Sequence, residues 1–303
     1  MSQTTPIRPA TTASFPLART RSKIQPGRIV TRVTLYVIAA VLVALFMGPF
    51  LWTVASSLKT SAEIAQFPPI LFSSSPRIQN YADVFTAVPM ALFFRNTLQV
   101  TLLAVFGQVI SATLVAYGFS RFRFPYRNLL FMILLSTIIL PREVLLIPTF
   151  LLFKQLGMLN TLAPLWLPSF FGGAFYVFLL RQFFLSLPND LDEAAKIDGA
   201  NSLQILWKIL IPLCQPAMAT VAIFSFLSHW NEFLEPLIFL SSKENFTLAL
   251  GLRFFQNVPN DAQEPRDQLM MAASLIMTAP VIALFFLAQR YFIRGIVMSG
   301  IKG

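Results

Sequence analysis

DLDEAAKIDGANSLQILWKILIP, residues Asp190 to Pro212, is a charged island between two long uncharged segments. Asp190 and Glu193 have the spacing of a capping box, and Asn189 offers an alternative N-cap, so a short helix is expected to begin here. Gly199 should end it, because glycine alone enters the left-handed conformation at little cost. Asn201 and Gln204 then form a second cap pair, which gives a helix, a glycine elbow and a helix. Ala194 and Ala195 carry almost no side-chain bulk, and Asp192, Glu193, Lys196 and Asp198 surround them with charge. Such a helix can press its backbone into a groove on another protein, its N-terminal carboxylates agreeing with the helix dipole. A solvated amphipathic loop helix has the same spacing, and spacing alone does not separate the two.

The surroundings fix the class. In 303 residues, 56% hydrophobic and 12% charged, with a mean hydropathy of +0.67, the chain is too apolar for a soluble domain. An all-α polytopic membrane protein is expected. The single cysteine, Cys214, excludes an internal disulfide. The net charge of +10 comes from basic residues that flank hydrophobic segments, which fits membrane topology and not nucleic-acid binding.

Residues 1–32 hold Arg8, Arg19, Arg21, Lys23, Arg28 and Arg32 and no acid, and read as a disordered cytoplasmic tail. Val33 to Leu58 is uncharged and long enough to span a bilayer about 30 Å thick. After a polar loop from Lys59 to Arg95, a second span is expected at Asn96 to Ser120. Its Gly107, Ser111, Ala112 and Ala116 would let another helix approach closely. Arg121, Arg123 and Arg127 mark a cytoplasmic loop. The third span starts near Asn128 and is broken at Pro141-Arg142-Glu143. On a continuous helix Arg142 would stand about 21 Å from Asn128, either lining a water-filled path or snorkelling to the outer surface. Lys154 to Asn160 reads as an outer turn. The fourth stretch, Thr161 to Leu180, contains Pro164, Pro168 and Gly172-Gly173, a broken helix of the kind tolerated where it is buried or lines a cavity.

The fifth span is expected at Ile209 to Ser228, bent near Pro212 and Pro216. His229 and Trp230 at its far end read as an interfacial histidine beside an anchoring tryptophan, with no second metal-type ligand nearby. A loop from Lys243 to Asp267, expected outside, precedes the sixth span at Gln268 to Gln289. The expected organisation is therefore a tail at 1–32, a six-span domain at 33–294 with a cytoplasmic loop at 182–208, and a cytoplasmic C-terminal tail at 295–303. Both termini fall inside by this count, and so does the Asp190 to Pro212 elbow.

Glu193, Ala194, Ala195, Gly199, Ile209 and Pro212 resemble the EAA motif of ABC-importer permeases, E-A-A-x3-G-x9-I-x-L-P, with Ile211 where Leu is usual. From about Leu51 to Gly303 the chain is similar to the inner-membrane subunit of carbohydrate-type importers. The likeness rests on SSLK at Ser56, Asn80-Tyr81, Asn96-Thr97, AYGFSRFRFPYR at Ala116, LLIPTF at Leu145, WNEFLEPL at Trp230 and the terminal KG. Tyr126 departs from the glycine common after FP, and the tail is longer and more basic than usual.

The resemblance implies the type I importer permease fold, and an elbow that docks into an ATP-binding subunit through Glu193, Ala194, Ala195, Asp198, Gly199, Ile209 and Pro212. It also implies four kinds of partner: a second permease, two ABC ATPase subunits, an extracytoplasmic solute-binding protein and the lipid bilayer. A sugar or sugar-like polyol is the implied solute. Asn96, Gln99, Gln108, Gln215 and Asn231 could meet its hydroxyls, although polar residues in spans more often join helices and the partner permease is the other place for the ligand. The sequence has no GxxxxGK[ST] loop, so ATP hydrolysis is expected in a separate partner subunit, and no catalytic residue, metal or cofactor is expected in this transport subunit. A self-sufficient secondary transporter is the competing reading. It would have no use for a docking helix.

Overall fold

Prolines and glycines divide the apolar sequence into helices that hydropathy alone would run together. The computed structural model describes residues 26–256 and 266–299 and contains no strand among them. Two units meet at Leu51. The described part of the first is residues 26–51 of helix α1 (Pro26–Ser57), which starts before the expected Val33 and so takes in the end of the expected tail. From residue 33 to residue 49 its side chains are exposed and uncharged, as suits a helix in lipid.

In the second unit, α2 (Ser61–Ala65) and α3 (Asn80–Ala87) occupy the expected polar loop and lead to α4 (Met90–Arg121). Then α5 (Arg127–Ser136) runs through a 3-10 turn to Ile139, and past Leu140-Pro141 the chain resumes as α6 (Arg142–Gln155), bent by 100°. That bend overturns the reading of Arg142 as a residue far along one straight axis. Pro164 and Pro168 open α7 (Ala163–Trp166) and a 3-10 turn, Leu167–Phe171, and left-handed Gly172 (φ 72°) redirects the chain into α8 (Ala174–Ser186).

Past α9 (Asp190–Ile197) and α10 (Ser202–Ile205) comes a π turn, Leu206–Leu210. Next are α11 (Ile211–Leu213) and α12 (Gln215–Trp230), the latter at 81° to what precedes it. Short helices α13 (Leu234–Phe239), α14 (Leu248–Gly251) and α15 (Arg253–Gln256) lead to α16 (Asp267–Ser299), which continues past the expected end at Gln289 into the expected tail. Pro259 and Pro265 lie outside the described residues. Among the described residues four segments are long and apolar enough to cross a membrane: Thr31–Ser57, Met90–Arg121, Ala163–Ser186 and Asp267–Gln289. The two bent pairs bring the number to 6.

Helix α4 is the pivot of the packing. Ala112, Ala116 and Tyr117 belong to a core with α8, α9, the π turn and α12. Met90 and Phe93 belong to a second core with α12 and α16, and Val100 to a third with α6 and α13. The small residues expected to admit a neighbour do so: a Cβ on Gly107 would lie 2.3 Å from the Phe170 ring, and Ala112 and Ala116 are fully buried. The motif asparagines tie loops to helices. Asn80 Nδ2 donates to the carbonyls of Ser57 (2.8 Å) and Lys59 (2.9 Å), satisfying acceptors that the end of α1 leaves open. Trp230 is 1% exposed and donates Nε1–H to the Met277 carbonyl at 2.9 Å, so it is a core residue and not the interfacial anchor its position suggests.

Candidate functional site

The elbow forms as its sequence requires, with one exception. Gly199 sits at φ 82°, and nothing lies within 4 Å of where its Cβ would be, so backbone conformation and not space demands glycine. Asn201 Oδ1 accepts from the Gln204 amide (2.9 Å) while Gln204 Oε1 accepts from the Asn201 amide (2.8 Å), a complete capping box. The exception is the start of α9. Asn189 makes no side-chain cap, because its Oδ1 accepts from the Arg121 guanidinium instead.

Arg121, read from sequence only as a topological charge, is the main fastening of α9. Its Nε lies 2.9 Å from Asp192 Oδ2, with the two side chains 7% and 10% exposed. The approach is an ion pair, not an aligned hydrogen bond. A second guanidinium nitrogen, Nη2, donates to the Leu187 carbonyl at 3.2 Å. Tyr117, one turn back on α4, donates its hydroxyl to the Ser202 carbonyl at 3.0 Å. Both halves of the elbow are thus bound to α4.

The motif residues divide between two faces. Glu193, Ala194, Asp198 and Gly199 are exposed, and Ile197 beside them is 87% exposed, a large apolar side chain on an otherwise charged surface. Ala195 instead is buried in the core with Ala116 and Tyr117. Ile209 packs partly against that core, and Pro212 is exposed. Pro212 has no N–H for the carbonyl of residue 208 and its ring crowds that oxygen. The preceding turn widens, and the Ile211 amide reaches back to the Leu206 carbonyl.

At the break of the third span a cavity of about 470 Å³ opens between α6, α8, α12 and α13. Of the five polar candidates from sequence, Gln108 alone lines it. Asn96 is buried and donates to the Glu244 (2.7 Å) and Phe246 (3.0 Å) carbonyls, so it joins helix to loop. Gln99 is exposed elsewhere on α4, and Asn231 donates to the Leu227 carbonyl of its own helix at 2.9 Å. Arg142 lines the cavity and its neighbour Glu143 does not.

Glu235, Tyr176 and His229, which the sequence did not point to as pathway residues, also face the cavity, and Glu232 completes the charged wall. His229 Nδ1–H donates to the Ser225 carbonyl (2.8 Å), leaving Nε2 to accept from the Ser169 hydroxyl (3.1 Å). The histidine therefore joins α12 to the 3-10 turn, in place of the interfacial role expected of it.

These features define a polytopic helical permease with the type I importer fold. The match to a crystal structure of a bacterial ABC transporter for import of the acidic polysaccharide alginate covers 88% of this chain and 98% of that one, at 26% identity and a TM-score of 0.79. Residues 33–298 match the model of the binding-protein-dependent transport system inner membrane component, and the chain belongs to that family, within its carbohydrate-type ABC branch. It is 31% identical over 269 residues to the sulfoquinovosyl glycerol transport permease SmoH of Agrobacterium fabrum, covering 88% of this chain and 93% of that protein. Over 258 residues it is 31% identical to the arabinooligosaccharides transport permease AraQ of Halalkalibacterium halodurans, covering 84% and 91%. The protein is accordingly a multi-pass inner-membrane transport subunit of a binding-protein-dependent system.

Proposed function

We propose that this chain is one of two permease subunits of an importer for a sugar or sugar-like solute, driven by two ABC ATPase subunits docked at the Asp190 to Pro212 elbow. The observation that carries the reading is the elbow itself. It exposes Glu193, Ala194, Ile197 and Gly199 and is fastened to α4 through Arg121 and Tyr117. An exposed Ile197 beside small, backbone-accessible positions suits a groove on a partner, and the basic loops support a cytoplasmic elbow and cytoplasmic termini.

A push on α9 reaches α4 through the Arg121–Asp192 pair and α12 through the π turn and the 81° bend. ATP binding then favours one of two arrangements of the spans through its different seating on this elbow. The solute arrives from an extracytoplasmic binding protein. The relatives' names, which include a sulfoquinovosyl glycerol and an arabinooligosaccharide permease, support a saccharide as the solute class.

Co-purification of the tagged chain from its own membranes tests this, with every accompanying chain identified. An ATPase and a second permease are expected with the wild type. A chain that comes down alone and transports without nucleotide overturns the reading in favour of a secondary carrier.

A further inference from the structure

The cavity at the broken third span has the character of a built site. Gln108 is 4% exposed, faces it, and its Nε2 has no hydrogen-bond partner. A buried amide left unpaired carries a desolvation penalty that a ligand oxygen would relieve. Gly173 leaves the amide its room: a Cβ there would lie 3.2 Å from Gln108 Oε1 and 3.3 Å from Nε2. Across the cavity Arg142 reaches only a long contact of 3.5 Å with Ser228 Oγ and forms no ion pair among the described residues. Glu232 is partly engaged, its Oε1 accepting the amides of Leu234 (3.0 Å) and Glu235 (3.3 Å) at the start of α13. Phe175 and Tyr176 supply ring surface. A volume of about 470 Å³ falls within the usual size of small-molecule sites, and this mixture of aromatic walls with a few convergent polar groups is their usual lining.

Resting on the importer reading above, we infer that this subunit itself holds the solute in transit, in the cavity between Gln108, Arg142, Glu235 and Tyr176, and that the site takes a neutral, hydroxyl-rich saccharide and disfavours an acidic one. Gln108 donates to a solute oxygen, and Glu235 accepts from hydroxyls. Arg142 serves as a donor whose charge is offset by the carboxyl groups of Glu232 and Glu235 on the same cavity. An anionic solute would find no surplus of positive charge there, in a site where water screens little. A neutral sugar needs no counter-charge and can use donors and acceptors alike.

The test is uptake by cells carrying the complete importer. Labelled lactose, maltose and arabinobiose serve as neutral probes, and galacturonate oligosaccharide and glycerol 3-phosphate as acidic ones. Uptake of a neutral probe is expected. It should fall at least tenfold in Gln108→Met, which keeps the side-chain length and removes the donor, and stay unchanged in Glu143→Gln outside the cavity. A residue that merely fills space would tolerate Met. Because the only native thiol, Cys214, is buried, a Gln108→Cys variant also reports alone: a sulfonated methanethiosulfonate reagent should label it, and the transported sugar should slow the labelling several-fold. Preferred uptake of an acidic probe, undiminished uptake by Gln108→Met, or labelling that no transported sugar slows overturns the inference and leaves the importer reading intact. If the wild type takes up none of the probes, the saccharide reading fails and this inference with it.

Discussion

Arg121 closes α4 with its Nε 2.9 Å from Asp192 Oδ2, so the end of the most central helix is fastened to the first helix of the elbow by a buried ion pair. The pair carries a definite stability expectation. Removing one partner strands the other charge in a buried place, at a cost of about 3–5 kcal/mol. Arg121→Ala and Asp192→Ala should each lower the melting temperature of the purified complex markedly. The double change Arg121→Met with Asp192→Leu should recover most of that loss, since apolar groups of similar volume need no counter-charge. A single-variant loss under about 1 kcal/mol, the size of a surface pair, would rule this out.

How much of this was legible in the sequence depends on how local each feature is. Gly199 and the Asn201–Gln204 box were readable because the groups that form them lie within three residues of one another. The cap of α9 was not, because Arg121, 68 positions away, takes the Asn189 oxygen. The broken third and fourth segments showed in their prolines, yet the 100° turn that brings Arg142 to a cavity did not. Proline announces that a helix stops and leaves the new direction to packing. Asn96 and Gln108 look alike as polar residues in one span; only the three-dimensional neighbours make one a tie and the other a cavity wall.

At Gly199, φ of 82° costs a non-glycine residue about 1–2 kcal/mol, least for Asn and Asp, and the open space around it adds no clash. Gly199→Asp should therefore fold and insert but place a new carboxylate on the proposed docking face. Uptake per assembled complex is expected to collapse, while Gly199→Asn, with the same backbone demand and no charge, keeps a substantial part of it. Normal ATP-driven uptake by Gly199→Asp would sink the docking role.

Tyr126 is the departure from the family pattern that the structure explains. It holds φ of 60° just before α5, a left-handed position, and is 75% exposed. Glycine there removes about 1–2 kcal/mol of strain and gives back about 0.5–1 through the more flexible unfolded chain. Tyr126→Gly should be neutral to mildly stabilising in thermal melts, and Tyr126→Val, β-branched, clearly destabilising. Equal behaviour of the two variants would contradict the strain argument.

Glu63 folds the loop after α1 around its carboxylate. Oε2 accepts from the Thr60 amide (3.0 Å) and Ser73 hydroxyl (2.8 Å), and Oε1 from the Ser74 amide (3.1 Å) and hydroxyl (3.0 Å). The Thr60 amide above all, then the Ser73 hydroxyl, holds its pKa down at about 2 against an ordinary 4.5. A depressed carboxyl stabilises its loop fully above the ordinary value and loses that contribution as pH falls from there through about 2. Hydrogen exchange at the Glu63 and Ser74 amides, corrected for intrinsic rates, should therefore accelerate across that window, and in Glu63→Gln protection should be low already at neutral pH. A pH-independent wild type would show that the carboxylate does not order the loop.

Gly107 faces the ring of Phe170 so closely that a Cβ would lie 2.3 Å from Cδ2, well inside any real contact. Phe170 belongs to the 3-10 turn that also carries Ser169, the partner of His229, so the ring cannot retreat without moving a wall of the cavity. Gly107→Ala should cost about 1–3 kcal/mol as an overpacked core does. It should also lower uptake more than that loss of folded protein accounts for, because Ser169 shifts with the turn. Phe170→Leu opens the space from the opposite side, so the double variant should regain stability and uptake together. If Gly107→Ala alone melts and transports like the wild type, Phe170 has room to give way against α4, and the turn is not what positions His229.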